Sequence, residues 1–208
     1  MSISTFVKIN AVNNLSDARY CAGMGVQLMG FCLENENPKH VSPEKFKEIT
    51  GWVSGVEFAA EFGTYSEDSI LEMARNYPGL GYLELSEESQ LESFLGKGYK
   101  LIWKVGVRSQ SHIDQLLAKA DFLDENQILL HLVSEDLSLS DDIIHSVREL
   151  SQLCEVILGF GITGSNVLNL LEKTGARGIS LEGGEEIKPG LKDFDELSEI
   201  LEILEVEE

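Results

Sequence analysis

Short apolar runs alternate along this chain with stretches in which hydrophobic residues recur at helical spacing. That alternation is the signature of a parallel sheet covered by helices. The apolar runs predict strands over Phe6–Asn10, Val26–Leu33, Gly55–Ala60, Gly81–Leu85, Lys100–Val107, Gln127–Leu132, Glu155–Gly159 and Gly178–Glu182. Helices are expected to start near Asn14, Ser42, Ser66, Ser86, Ser109, Ser138, Thr163 and Asp193. Ser42-Pro43-Glu44 places proline at the first helical position, and Asp193 followed by Glu196 has the spacing of a capping box. Eight strand–helix pairs in 208 residues predict an α/β fold, a compact (β/α)8 TIM barrel, as one domain over residues 1–208. A doubly wound open sheet is the alternative, but no glycine fingerprint of a dinucleotide fold accompanies it. The acidic tail from Glu199 to Glu208 is expected to finish the last helix and fray.

Strand alternation sorts the side chains. If Asn10 points into the barrel mouth, Lys8 points inward one layer deeper, and Val7 and Ile9 face the helices. The same phase turns Glu84 and Ser86 inward on the fourth strand, Lys104 on the fifth, His131 on the sixth, and Ser180 and Glu182 on the eighth. Barrels of this kind work at the C-terminal ends of their strands. Asn10, Ser86, His131 and Glu182 therefore mark the candidate mouth.

Composition narrows the function classes. A chain that is 43% hydrophobic and 25% charged is ordinary for a globular protein. Its 16 basic and 36 acidic residues leave a net charge of −20, a field that repels nucleic-acid backbones and anionic membranes. No apolar run is long enough for a membrane span, and the N-terminus lacks the pattern of a secretory signal. Cys21, Cys32 and Cys154 are scattered within apolar segments, as expected of reduced core thiols in a cytoplasmic protein. Glu57, Glu61 and Glu84 are the nearest approach to a metal cluster. No histidine or aspartate is spaced to complete it, so neither a metal nor another cofactor is expected.

Specific segments go further than composition. Val7 to Glu44 reads VKINAVNNLSDARYCAGMGVQLMGFCLENENPKHVSPE. It resembles the opening β-α-β unit of the phosphoribosylanthranilate isomerases, which begins Val-Lys-Ile-Cys-Gly-Ile-Thr and closes with Arg-Tyr-[Val/Ile]-Ser-Pro. Near the other end, VILGFGITGSNV (Val156–Val167) is similar to the family's Leu-[Ala/Ser]-Gly-Gly-Leu segment. GISLEGGEEIKPGLKD (Gly178–Asp193) is similar to its Ser-Ser-Gly-Val-Glu segment, with Pro189, Gly190, Lys192 and Asp193 in register. LIWKVGV (Leu101–Val107) and ILLH (Ile128–His131) resemble its fifth and sixth strands.

The resemblance implies a TIM barrel and an Amadori-type aldose–ketose isomerisation of a phosphoribosyl amine in tryptophan biosynthesis. That reaction needs an acid at the ring oxygen and a base at carbon. The resemblance puts Asn10 where the family has its base, a cysteine, and His131 where it has its acid, an aspartate. An amide does not accept a proton near neutral pH, whereas histidine can act as acid or base. Lys39 stands where the family has an arginine, and keeps charge without the bidentate fork. The resemblance also implies a phosphate cradle at Gly159, Gly161, Gly183 and Gly184, with Phe160 adding bulk and Glu182 adding a carboxylate. At ~5 Å and an effective dielectric of ~20, Glu182 would repel a phosphate by about 3 kcal/mol per charge pair.

The expected site thus comprises catalytic His131 and Asn10, with Lys8, Lys39, Ser86, Lys104 and Glu182 around the substrate. Two functions follow. One is an isomerase of this type acting on a small sugar phosphate. The other is a catalytically degenerate barrel that binds a different small metabolite or a protein partner. Lys8, Lys104, Glu84 and Glu182 suit a structural ion-pair network. In a repurposed pocket, Lys104 would bind or attack a carbonyl group. A monomer or a homodimer fits either function.

Overall fold

The computed structural model describes residues 2–183, 186–188, 191–192 and 195–206. Its centre is a closed barrel of eight parallel strands in sequence order. These are β1 (Phe6–Asn10), β2 (Leu28–Cys32), β3 (Glu57–Phe62), β4 (Leu80–Leu85), β5 (Lys100–Gly106), β6 (Leu129–Val133), β7 (Val156–Leu158) and β8 (Gly178–Glu182). Closure is made by β1 against β8, in register from Phe6↔Gly178 to Asn10↔Glu182. The first and last strands fall where the apolar runs predict them, and the others differ by one or two residues at their ends.

The covering helices are α1 (Leu15–Gly23), α2 (Pro43–Thr50), α3 (Glu67–Ala74), α4 (Leu91–Phe94), α5 (Gln110–Leu116), α6 (Ala120–Glu125), α7 (Asp141–Ser151), α8 (Val167–Thr174) and α9 (Asp195–Ile203). Side-chain caps start five of them. Asn14, Ser42, Ser66, Ser109 and Ser140 each accept a backbone N–H from the first turn, worth about 1 kcal/mol apiece. Three expected starts move. Ser86 caps nothing: a 3-10 turn, Glu88–Gln90, leads into the short α4. The helix placed near Ser138 starts at Asp141 because Ser140 is the cap. The one placed near Thr163 starts at Val167, since Asn166 first closes the preceding turn by bonding Thr163 N–H and Gly161 O. The expected start at Asp193 lies outside the described residues. The tail differs as well, because Glu205–Val206 pairs antiparallel with Ser2–Ile3 and clasps the two ends together.

Val7 and Ile9 on β1 are fully buried against the helical layer, as alternation requires. That layer includes an aromatic cluster in which Phe46 meets Phe31, Phe58 and Tyr77 edge-on. Inside the barrel, Leu28, Ala59, Tyr82, Ile102, Leu129 and Ile157 form a separate apolar plug. The inward positions nearer the mouth are polar. The plug seals the barrel from below, so the polar layer above it faces the C-terminal rim alone.

Candidate functional site

The inward phase of β1 carries Lys8 and then Asn10. Lys8 is fully buried, and its Nζ lies 2.6 Å from Glu61 Oε1, 3.0 Å from Glu84 Oε2 and 2.5 Å from Asn10 Oδ1. An ammonium only donates, so the Asn10 amide turns its oxygen to Lys8 and leaves Nδ2 to donate to Ser180 Oγ at 3.3 Å. His131 Nε2 is 2.6 Å from Ser180 Oγ, and Nδ1 is 2.9 Å from Glu84 Oε2. An ionised carboxylate only accepts, so the imidazole proton sits on Nδ1 and Ser180 donates to Nε2. The donors thus run from Lys8 to Asn10, Ser180, His131 and Glu84, and Lys8 closes the ring by also donating to Glu84.

The charges obey the same order. Burial alone would raise the Glu84 carboxyl, but Lys8, His131 and Lys104 outweigh it and hold it well below the usual carboxylate range. Burial pushes the His131 imidazole down, helped by Lys8 and Lys104, and Glu84 only partly offsets this. Burial would lower Lys8, yet Glu61 and Glu84 together raise it. The resting site therefore holds an ammonium, carboxylates and a neutral histidine. Lys104 stands at the edge with its side chain 40% exposed, its Nζ 4.0 Å from Glu84 Oε1.

Two barrel glycines make the ring possible. A Cβ on Gly159 would lie 2.5 Å from Ser180 Oγ and 2.8 Å from His131 Nε2, and a Cβ on Gly30 would overlap the Glu61 carboxylate. Gly159 is therefore packed against the His131–Ser180 pair. At the end of β1, Ala11 holds φ at 51°, a region costly for a residue with a Cβ, and its N–H donates to Glu61 Oε2 at 3.1 Å.

Lys8, Asn10, Lys104 and His131 are brought together as the alternation implies, with Glu84 and Ser180. Ser86 is not: it is exposed and its hydroxyl donates to Phe62 O at 3.3 Å. Glu182 also departs. It is 67% exposed and pairs at 2.7 Å with Lys39 on the rim, so the repulsion expected of an unpaired carboxylate is reduced by a nearby ammonium. Phe160 turns into the hydrophobic core and adds no bulk to the mouth. Gly161 has φ at 67° and packs against Leu139, while Gly183 packs near the Asp17 carboxylate. Gly184 lies outside the described residues.

Glu61 is the network member whose role the sequence does not disclose. Its signal is the pairing of an inward glutamate on β3 with a side-chain-free Gly30 on β2. Glu57, four residues earlier, instead pairs with Lys100 and accepts from Tyr82. Among the described residues, no group of three His, Cys, Asp or Glu side chains could hold a metal ion. All three cysteines are buried, and none is in a disulfide. Burial raises the Cys32 thiol and pushes Cys154 up to about 11, so neither is a ready thiolate. A cavity of about 670 Å³ opens at the other, N-terminal end, lined by Tyr99, Lys100, Gln127 and Arg177, below the apolar plug. No helix among the described residues is long and apolar enough to cross a membrane.

No protein-family model matches the chain. It is 26% identical over 203 residues to the N-(5'-phosphoribosyl)anthranilate isomerase of Thermotoga neapolitana, covering 94% of this chain and 96% of that one. It is 25% identical over 194 residues to the isomerase of Nitrosomonas eutropha, covering 92% of each. Its fold superposes on the phosphoribosylanthranilate isomerase of Thermotoga maritima with a TM-score of 0.78 at 21% identity, over 96% of this chain and 98% of that one. An isomerase structure in complex with reduced 1-(o-carboxyphenylamino)-1-deoxyribulose 5-phosphate gives 0.76 at 22% identity, with the same coverage. Sequence likeness over nearly the whole length, on a closed (β/α)8 barrel, supports a relation of this chain to the phosphoribosylanthranilate isomerases.

Proposed function

We propose that this protein is a single-domain barrel of the phosphoribosylanthranilate isomerase family that takes a small metabolite at its mouth and does not efficiently catalyse the Amadori rearrangement. The observation that carries this is the occupancy of both His131 nitrogens, Nδ1 by Glu84 and Nε2 by Ser180, with an amide at Asn10. The rearrangement needs one group to deliver a proton to the ring oxygen and another to remove one from carbon. A neutral His131 has no proton on Nε2 to deliver, and Asn10 cannot accept one. The reaction lacks both partners at the positions that the family resemblance assigns.

Binding is a separate matter from turnover. Lys104, Lys39 and the glycine turns at Gly161 and Gly183 put cationic and backbone groups at the rim, suited to a sugar phosphate of the kind bound in the related complex, whereas the Gly159 N–H is taken by Leu132 O. Three buried cysteines outside any disulfide suit a cytoplasmic setting. Nothing in this reading calls for a cofactor, a nucleic acid or a membrane.

The relatives favour a second reading, since full-length homologues carry the isomerase name. In it His131 serves as the base, and another group supplies the acid. Purified protein supplied with phosphoribosylanthranilate separates the two. The first reading expects turnover below about 10² M⁻¹s⁻¹, far under the ordinary enzyme range of about 10⁴ and above. A value within that range would overturn it. Replacing His131 by Ala would then tell whether histidine is the base.

A further inference from the structure

Ser180, His131 and Glu84 come from β8, β6 and β4, and meet only because the barrel closes. Ser180 Oγ to His131 Nε2 is 2.6 Å, and His131 Nδ1 to Glu84 Oε2 is 2.9 Å. We propose that these three residues form a serine–histidine–glutamate triad, with Ser180 as nucleophile toward small carboxylic esters or lactones. The geometry meets the requirements for an activated serine: a base within hydrogen-bond reach and a third group orienting that base. It also fixes the proton positions. Lys8 can only donate and Glu84 only accepts, so His131 Nε2 must be the acceptor facing the Ser180 hydroxyl.

The step balances with water as the sole co-reactant. The Ser180 proton passes to His131 Nε2 as Oγ bonds the ester carbonyl carbon. Glu84 stays ionised and stabilises the imidazolium. Collapse breaks the bond to the leaving alcohol, which takes the proton from Nε2. Water then attacks the acyl-serine by the same route, releasing the acid and restoring Ser180. Asn10 Nδ2, 3.3 Å from Ser180 Oγ, is an amide donor beside the developing oxyanion, and Lys8 on Oδ1 fixes its orientation. β7 contributes no side chain there, because residue 159 is glycine and any Cβ would crowd both Oγ and Nε2. Ser180 is 3% exposed, which restricts the substrate to small acyl groups.

The proposal shares the His131 contacts with the isomerase argument, but its readout is independent of isomerase activity. Full-length protein is mixed with p-nitrophenyl acetate, and the acetyl group is located by peptide mass mapping. The expected result is acetylation of Ser180 with release of nitrophenol. The rate should fall about a hundredfold or more in His131→Ala and also fall in Glu84→Gln. In folded wild-type protein the rate should be flat above about pH 6.5 and decline below it as His131 takes a proton. Wild-type protein that releases no nitrophenol above the buffer rate overturns the proposal without recourse to any variant. An equal rate in Ser180→Ala does the same.

Discussion

Gly159 decides the site at the scale of single residues. Its missing Cβ is the space into which Ser180 and His131 fit, with the Leu132 carbonyl oxygen closing a third side at 3.1 Å. Gly159→Ala should cost about 1–3 kcal/mol, as overpacking does, and calorimetry should show the loss together with altered His131 titration. Ala11 is the opposite case. It bears a Cβ at a φ of 51° where the related family motif has glycine. Relief of about 1–2 kcal/mol of left-handed strain, less about 0.4–1 kcal/mol for the freer unfolded chain, should leave Ala11→Gly more stable. The melting temperature should rise by about 2–4 °C per kcal/mol gained in a chain this long. The inward faces of Lys8, Asn10 and His131 were legible from strand period alone. Glu182 and Ser86 were not, because the last strand residues lie at the rim, where solvent and a loop lysine compete for a carboxylate and a neighbouring carbonyl takes a hydroxyl.

Elements follow the sequence most closely where hydrophobic period and a cap agree. β1 and α1 show this, with Asn14 accepting from Asp17 N–H. They diverge where two cap-forming residues stand close together, since either can bond the first turn. Ser138 and Ser140 are such a pair, and Ser140 wins because its Oγ reaches Ile143 N–H. Ser140→Ala should therefore destabilise the protein by about 1 kcal/mol in denaturant titration, while Ser138→Ala should change little. The fourth unit diverges for another reason. Only a short stretch separates β4 from β5, and Ser86 is drawn back to Phe62 O, so the chain makes one tight turn before the brief α4. The terminal clasp was invisible to periodicity, as two residues at each end are too few to show a strand pattern.

The whole molecule couples its stability to the ionisation of the ring. Glu84 and His131 are both held below their ordinary values of 4.5 and 6.5, so the unfolded chain binds more protons than the folded one as pH falls. Their contributions are fully present above those values. Acidification should remove the His131 part below about pH 6.5 and the Glu84 part below about pH 4.5. Lys8 has the reverse sign: raised above 10.5, it contributes fully below that pH and its share is lost as pH climbs through the higher folded value. The raised Cys32 and Cys154 thiols begin to lose their share above their ordinary value of 9.0. A stability plateau between roughly pH 6.5 and 9 should therefore appear in denaturant titrations, in salt sufficient to screen the surface carboxylates.

The barrel, its likeness to the isomerases and its inward residues were readable in the sequence because they depend on period and order. The closed ring was not, since it joins Lys8, Glu84, His131 and Ser180 across four strands and fits only between glycines on two others. The proton on His131 underlies both the missing Amadori acid and the serine nucleophile. Nitrogen-15 NMR of the histidine ring at pH 7 reads it directly. The predicted result is a neutral imidazole with the proton on Nδ1 and a bare Nε2. An imidazolium, or a neutral ring protonated on Nε2, would contradict the donor order from Lys8 round to Glu84 and both conclusions drawn from it.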